Sequence, residues 1–171
     1  MNIFYLDRDP KIAAQMMCDK HVVKMILESA QMLSTAHRQL DGDDYADTHK
    51  LYKNAMVNHP STIWVRSSHM HYRYLYDLFV ALCDEYTYRY GKQHASDRQL
   101  RVPLAKAPDN IPQVAWNPPP QCMPEEYKMT SSVLAYRKYY INDKGSFSTW
   151  KNRPTPYWFN ENVFGREGRT A

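Results

Sequence analysis

Two long stretches without internal glycine or proline, each opened by a proline, restrict this chain to a helical fold. The first begins at Asp9-Pro10 and continues to about Arg38, and the second begins at His59-Pro60 and continues to Tyr90. Proline suits the first position of a helix because its φ is already helical and its missing N–H would have no partner there. Apolar residues recur at helical spacing in both stretches, so we predict two long helices, 10–38 and 60–90, packed together.

Shorter signals complete an all-α prediction. Ser67-Ser68 is a candidate break in the second helix, and Gly91 suits its C-terminal cap. We also predict a short helix around 47–57 and a third main helix over 131–142. No stretch of the sequence has the alternation of a strand, so the expected fold is compact and all-α, with an extended N-terminal arm over residues 2–7.

The length of 171 residues fits one domain spanning 1–171. Within it, residues 103–124 form a proline-rich loop insertion, and residues 144–171 form a tail rich in aromatic and basic residues. The sequence has no apolar run of 18 residues and no signal-peptide pattern, so we expect no membrane association and a cytoplasmic location. Cys18, Cys83 and Cys122 are far apart in sequence and are expected to be reduced packing residues.

Positive charge is concentrated towards the C-terminus. The net charge is +4, but the segment from Lys128 onwards carries eight Lys/Arg against three acids. Cations can neutralise phosphates and aromatic rings can stack on bases, so this segment predicts contact with DNA. The alternative is that the rings belong to the core and the cations are solvated. The candidate DNA-binding residues here are Arg137, Lys138, Lys151, Arg153, Tyr157 and Trp158.

One face of the first helix carries a polar stripe, formed by His21, Lys24, Glu28, Gln31 and Thr35 at spacings of three and four. A solvated stripe with a Lys24–Glu28 ion pair is one interpretation. The other is a catalytic carboxylate held among cationic and amide groups, in which Glu28 performs acid–base work or stabilises a developing cation. No histidine pair has the H-x-x-x-H spacing of a helical zinc site, so no metal ligand is predicted.

In these residues and their order, the sequence resembles the pyrimidine-dimer DNA glycosylase family of the phage endonuclease V type. The similarity lies in four segments that occur in the family's order. They are the N-terminal arm Met1–Leu6, Asp19-Lys20-His21 followed by Glu28, Asn58-His59-Pro60 leading into a helix that ends at Gly91, and Arg153-Pro154-Thr155 before Tyr157-Trp158.

The resemblance implies a DNA-repair enzyme of the base-flipping type, acting on a damaged or modified base in DNA, expected to be double-stranded. It implies no metal or organic cofactor, no obligate protein partner, and residence in the host cytoplasm if the gene is a phage gene. The α-amine of residue 1 would form an imine with the sugar, and Glu28 would assist, giving glycosylase activity with coupled AP lyase activity.

The chain departs from the family pattern around these residues. Asn2 is bulky for removal of the initiating methionine, so Met1 itself is expected to supply the amine. Leu27 precedes the catalytic glutamate, and Gln31 stands where the family has a cation. We therefore expect His21 and Lys24 to join Met1 and Glu28 in catalysis, with Gln31 and His59 among the DNA contacts.

Two other functions are compatible with the sequence. One is a non-catalytic DNA-binding protein that keeps the fold and the basic aromatic tail. The other is a metal-dependent nuclease whose ligands come from histidines that are distant in sequence. Only the glycosylase mechanism requires both a free N-terminal amine and Glu28.

Overall fold

The computed structural model describes residues 1–159, and the predicted tail continues beyond them. The described part is helical and contains no strand, which confirms the all-α prediction. Its helices are α1 (Pro10–Met16), α2 (Asp19–Asp41), α3 (Asp44–Thr48), α4 (Pro60–Arg66), α5 (His69–Tyr90), α6 (Ala95–Leu100) and α7 (Ser132–Asp143). Single 3-10 turns occur at Pro103–Ala105 and Glu125–Tyr127. No helix in residues 1–159 is both long and apolar enough to cross a membrane.

The core lies mainly between the two longest helices. α2 packs against both α4 and α5, and α1 packs against α5, as predicted from the two proline-initiated stretches. Ile26 and Leu33 of α2 and Leu75 and Phe79 of α5 are fully buried in one continuous cluster. Removing these apolar side chains from water supplies the main driving force for the pairing.

The prediction of one unbroken first helix was wrong, because Met17 and Cys18 adopt extended backbone between α1 and α2. The buried guanidinium of Arg89 lies at this break. Arg89 donates hydrogen bonds to the carbonyl oxygens of Gln15 and Met17, at 3.0 and 2.9 Å, and to Asp19 at 3.0 Å. Carbonyls at the break thus bond to a side chain from α5 instead of to a continuing helix.

Other helix ends follow their local signals. The second helix is divided at Ser67-Ser68, and the Ser68 hydroxyl caps α5 by accepting from the Met70 N–H at 3.2 Å. Gly91 ends α5 with a left-handed φ of 70°. The third main helix, α7, lies within one residue of its predicted bounds.

The short helix predicted over 47–57 was misplaced, and α6 was not predicted. The structure has α3 at Asp44–Thr48 followed by a loop. Arg38 organises that loop, because its guanidinium donates to Asp43, Asp47 and the carbonyls of Leu51 and Tyr52. These long-range hydrogen bonds replace the local ones that a helix over 47–57 would have made.

The proline-rich segment 103–124 lies along the helices and is held by hydrogen bonds to its backbone. The Trp64 indole donates to the Asn117 carbonyl at 3.0 Å, and the Asn117 N–H donates to His71 Nε2 at 2.9 Å. The Tyr72 hydroxyl donates to the Leu104 carbonyl at 2.7 Å. Side chains of the helices thereby order the segment by bonding to its carbonyl oxygens and to its N–H groups.

Candidate active site

The N-terminal arm folds back over the middle of α2. Residues Ile3–Leu6 are buried, although they form neither helix nor strand. The Asn2 side-chain oxygen accepts from the N–H groups of Ile3 and Phe4, at 2.8 and 3.3 Å, which stabilises a tight bend. Phe4 has a φ of 53°, a left-handed conformation that is uncommon for residues other than glycine.

This bend places the N-terminal nitrogen of Met1 3.7 Å from Oε1 of Glu28. Lys24, one turn earlier on α2, places its Nζ 3.6 Å from Oε2 of the same carboxylate. The Glu28 side chain is 17% exposed, whereas Lys24 is open to solvent. One carboxylate therefore faces two nitrogen cations, which leaves the group with an excess positive charge suited to an anionic ligand.

His21 lies beneath the arm, whereas the Lys24–Glu28 ion pair lies at the surface. Its ring stacks on Phe4 with centroids 4.2 Å apart and planes 20° apart. Its Nδ1 lies 2.7 Å from the Tyr140 hydroxyl, which also accepts from the Cys18 N–H at 2.9 Å. Burial, followed by the charges of Lys144, Lys24 and Lys20, lowers the pKa of His21 to about 3, so the ring is neutral at physiological pH.

Arg137, on α7, holds the other end of the arm. Its Nε donates to the Leu6 carbonyl at 2.9 Å, and a terminal nitrogen donates to Asp7 at 3.2 Å. The guanidinium also donates to the Tyr157 hydroxyl at 3.1 Å. Because only 14% of the Arg137 side chain is exposed and its guanidinium bonds to Leu6 and Asp7, Arg137 positions the arm.

His59 borders the same site from the start of α4. Its Nδ1 caps the helix by accepting from the Ser61 N–H at 3.1 Å, which leaves Nε2 as the position for the proton of the neutral ring. Burial lowers the pKa of His59, the charge of the N-terminal amine lowers it further, and Glu28 opposes both effects. The ring is thus within electrostatic range of both members of the Met1–Glu28 pair.

A groove of about 730 Å³ opens beside His59. Its walls include Pro118, Pro119 and Cys122 from the proline-rich segment. The Asn2 amide donates to the Cys122 carbonyl at 3.0 Å and so connects this wall to the arm. A concave surface lined by an imidazole, and joined through Asn2 to the arm that carries the amine, has the form of an enzyme site.

The family model for pyrimidine dimer DNA glycosylases matches residues 1–99, more than half of the chain. The chain belongs to this family. No curated protein and no solved structure matches it. The matched region contains the arm, α2, α4 and α5, and therefore every residue of the Met1–Glu28 site except those on the proline-rich segment and α7.

In this member of the glycosylase family, the two remaining residues of the polar stripe, Gln31 and Thr35, differ in environment. Gln31 is half-buried and makes no side-chain hydrogen bond within residues 1–159. Thr35 is buried and accepts from the Ala55 N–H at 3.1 Å, so it stabilises the loop after α3. Gln31 therefore remains a predicted DNA contact on the face of α2 that also carries Glu28.

Of the predicted DNA-binding residues in the tail, Lys151 and Arg153 lie beside Asp19 and Glu85, whereas Tyr157 and Trp158 lie against Arg137. Arg153 pairs with the buried Glu85 at 2.6 Å and stacks over Tyr88, and the Lys151 N–H bonds to Asp19 at the start of α2. Trp158 is buried, with its indole N–H 3.4 Å from Met16 Sδ, whereas Tyr157 is exposed. Asp19 precedes Glu28 by nine residues, or about 13 Å along the axis of α2.

Three further side chains near the arm, those of Lys20, Lys144 and Phe147, were not among the predicted site residues. The charges of Lys20 and Lys144 both act on His21, and Lys20 lies 4.6 Å from the centre of the half-exposed Phe147 ring. Lys20 could have been found from sequence, because it lies four residues before Lys24 and shares its helix face. Lys144 and Phe147 follow α7, and only the tertiary fold brings them here. Lys138, which was predicted, is exposed on α7 and has no ion pair within the described residues.

The part of the chain that the structure describes has no group of three or more His, Cys, Asp or Glu side chains arranged to hold a metal ion. His69 and His71, the closest pair in sequence, differ in environment. His71 Nδ1 lies 2.8 Å from the Trp64 carbonyl, while His69 Nδ1 is buried without a partner. The three cysteines are free thiols, and only Cys122 is partly accessible.

Proposed function

We propose that this protein is a DNA glycosylase with coupled AP lyase activity, and that the α-amine of Met1 is its nucleophile. The observation that carries the proposal is the 3.7 Å separation between the Met1 nitrogen and the Glu28 carboxylate, in a chain of the pyrimidine dimer DNA glycosylase family. The family description supports a damaged pyrimidine in DNA as the substrate. A buried arm that brings residue 1 back to the middle of α2 has a clear use if the amine reacts there.

In the first step the Met1 nitrogen bonds to C1′ as the glycosidic bond breaks. The base leaves with the bonding electrons and takes up a proton. Loss of a proton from nitrogen and opening of the sugar ring give an imine. Removal of a C2′ proton then expels the 3′ phosphate and cuts the strand, and water hydrolyses the imine to release the enzyme. An α-amine suits this role because such groups ordinarily have a pKa near 8, which leaves a useful unprotonated fraction at neutral pH.

Glu28 is the proton acceptor and electrostatic partner in this mechanism. Its carboxylate is close enough to take the proton that the amine loses and to stabilise positive charge developing at C1′. Lys24 holds the other carboxylate oxygen at 3.6 Å and supplies a cation near the site of the DNA phosphates. Its exposure leaves the ammonium free to contact the strand.

His21 acts in this proposal by positioning the arm. With a pKa of about 3 it does not cycle between protonation states near neutral pH. Its stack with Phe4 and its contact with Tyr140 instead fix the bend that carries Met1. Arg137 complements it by holding Leu6 and Asp7 at the other end of the same arm.

We further propose that double-stranded DNA lies across the face that carries the arm. Lys20, Lys24 and Lys144 supply cations there, and the half-exposed Phe147 ring lies beside Lys20. Lys138, exposed on α7, is a further proposed phosphate contact. Such a surface binds phosphates with little regard to sequence and leaves recognition of the lesion to the site itself. Gln31 and His59 are close to Glu28 and are the proposed contacts to the reacting nucleotide.

Borohydride trapping tests the mechanism directly. The protein is incubated with a duplex that contains one abasic site, and the imine is reduced to a stable amine. A covalent protein–DNA adduct whose cross-linked peptide begins at residue 1 is the expected result. An adduct on an internal lysine, or none under conditions in which the protein binds the duplex, would overturn the assignment of Met1.

A further inference from the structure

A second cavity, of about 660 Å³, lies on the α5 side of the arm and shares no residue with the groove beside His59. Its volume is within the range typical of small-molecule sites. Three rings form a continuous wall, with centroids 5.4 Å apart for Tyr5 and Tyr74, 5.5 Å for Tyr74 and Trp116, and 6.1 Å for Tyr5 and Trp116. Tyr5 and Tyr74 are largely buried, and the partly exposed Trp116 ring offers a planar ligand an apolar face.

Polar groups around this cavity are unusually free of internal partners. Within residues 1–159, the Tyr5 hydroxyl, the Trp116 indole N–H and the Arg8 guanidinium have neither a hydrogen bond nor an ion pair, and all three residues line the cavity. The fourth group, His69 Nδ1, is a buried atom without a partner. Of these four groups only His69 Nδ1 is fully buried, and buried polar atoms in folded proteins are nearly always paired, so this nitrogen indicates a polar ligand. The other three groups are open to bond the same ligand.

The charges around the cavity favour an anion. Arg8 and Arg73 both line it, and Asp77 is its acidic residue, with an oxygen 4.0 Å from Arg73. The cations therefore exceed the anions by one. The planar, forked guanidinium group matches the oxygen geometry of a phosphate, and Arg8 has no competing carboxylate.

We propose that this cavity binds a nucleotide, with its base on the wall formed by Tyr5 and Trp116 and its phosphate on Arg8 and Arg73. His69 Nδ1 and the Trp116 N–H are then available to the edge of the base. The nucleotide comes either from solution, as a free mononucleotide, or from the strand of bound DNA. Tyr5 follows Phe4 in the arm, so the bound nucleotide stabilises the same segment that positions Met1.

Isothermal titration of the protein with dAMP tests the proposal without using enzymatic activity. We expect saturable one-to-one binding, weakened about tenfold or more in Arg8→Gln and in Arg73→Gln, because each loses a charge-assisted bond to the phosphate. Trp116→Phe keeps a ring and removes the N–H, and it should weaken binding less. Arg98→Gln is the matched control, because Arg98 is exposed on α6 and does not line the cavity.

The nucleoside without phosphate should bind more weakly than dAMP, and phosphate alone more weakly still. Repeating the titration with protein saturated by an undamaged duplex separates the two sources of the nucleotide. Unchanged affinity identifies a site for free nucleotides, and competition identifies a site filled by the DNA strand. Absence of dAMP binding, or binding that Arg8→Gln and Arg73→Gln leave unchanged while both variants remain folded, would overturn the proposal.

Discussion

The rings of Phe4 and His21 lie almost parallel, 4.2 Å apart, and join the N-terminal arm to α2. Phe4 belongs to a segment with no regular secondary structure, and its left-handed backbone costs energy that packing must offset. His21 is buried and neutral in this contact. The position of Met1 thus depends on a histidine that does not itself take part in proton transfer.

Acid should destabilise the fold through this histidine. His21 has a pKa of about 3 in the folded state, against an ordinary value near 6.5, so between these values the unfolded chain binds the extra proton and stability falls as pH falls. The expected loss of unfolding free energy from pH 7 to pH 4.5 is on the order of 2–3 kcal/mol from His21 alone. Urea denaturation at the two pH values measures it.

The control is His21→Phe, which keeps a ring against Phe4 and removes the titrating group. Between pH 7 and pH 4.5 this variant should lose less unfolding free energy than the wild type, and the difference should equal the loss expected from His21. This holds whatever the variant's stability at pH 7. His37, whose pKa burial lowers to about 4, contributes in the same direction and remains in both proteins. Equal pH dependence in the two proteins would contradict the role given to His21.

DNA affinity should depend strongly on salt, and the lysines near the arm should carry part of that dependence. Each phosphate contact contributes about 0.9 to the slope of log K against log salt concentration. The double variant Lys20→Gln/Lys144→Gln should therefore lower the slope by up to about two units. Lys53→Gln is a suitable control, because Lys53 follows α3 and lies near Asp47, towards the other end of α2. If the double variant and the Lys53→Gln control both keep the wild-type slope, then DNA does not cross the face that carries the arm.

Removing the Arg89 guanidinium should destabilise the protein severely. Arg89 is fully buried and bonds to Glu85, Asp19 and two carbonyl oxygens at the break between α1 and α2. Arg89→Met removes its hydrogen bonds to the Gln15 and Met17 carbonyls and takes one buried partner from Glu85 and from Asp19, and the expected cost is about 3–5 kcal/mol. Arg73→Met removes an exposed i,i+4 pair and should cost less than about 1 kcal/mol. Comparable losses in the two variants, measured by urea denaturation, would contradict this account of the break.

Arg89 also explains how far the sequence could predict the structure. Proline at the first helical position, serine caps and Gly91 are local signals, and the helix ends that depend on them were predicted correctly. The break at Met17-Cys18 and the loop after α3 depend on arginines that are far away in sequence or that bond to several carbonyls at once. The spacing of apolar residues along the chain does not indicate such bonds, so one helix was predicted where the structure has α1 and α2.

The same distinction applies to the site. The spacing of His21, Lys24 and Glu28 placed them on one side of α2, but it could not show that His21 is covered by the arm and Lys24 is open to solvent. Likewise, aromatic and basic composition marked Arg137 and Arg153 without indicating their partners. Arg137 holds the arm and Arg153 pairs with Glu85, and both arrangements require residues distant in sequence.

Glu28→Gln should abolish most activity while preserving DNA binding. The amide has nearly the same shape but cannot accept the amine's proton or balance a cation at C1′. We expect turnover on lesion-containing DNA to fall at least about 10²-fold, as for loss of a positioned acid–base group. Glu126→Gln, an exposed substitution outside the site, controls for the loss of a negative charge. Full activity in Glu28→Gln would rule out the proposed mechanism.

Blocking the N-terminus provides the sharpest test of the arm. A short extension before Met1 converts the α-amine into an amide, which is not nucleophilic, and moves the new terminus away from Glu28. Imine trapping should then disappear, while the melting temperature changes little because Ile3–Leu6 still supply the buried contacts of the arm. An extension that a protease can remove immediately before Met1 serves as its own control, because cleavage should restore trapping. DNA binding measured in parallel shows whether the extension merely obstructs the site. If the extended protein binds DNA and still forms the adduct, then the nucleophile is another amine and the approach of Met1 to Glu28 has only a structural role.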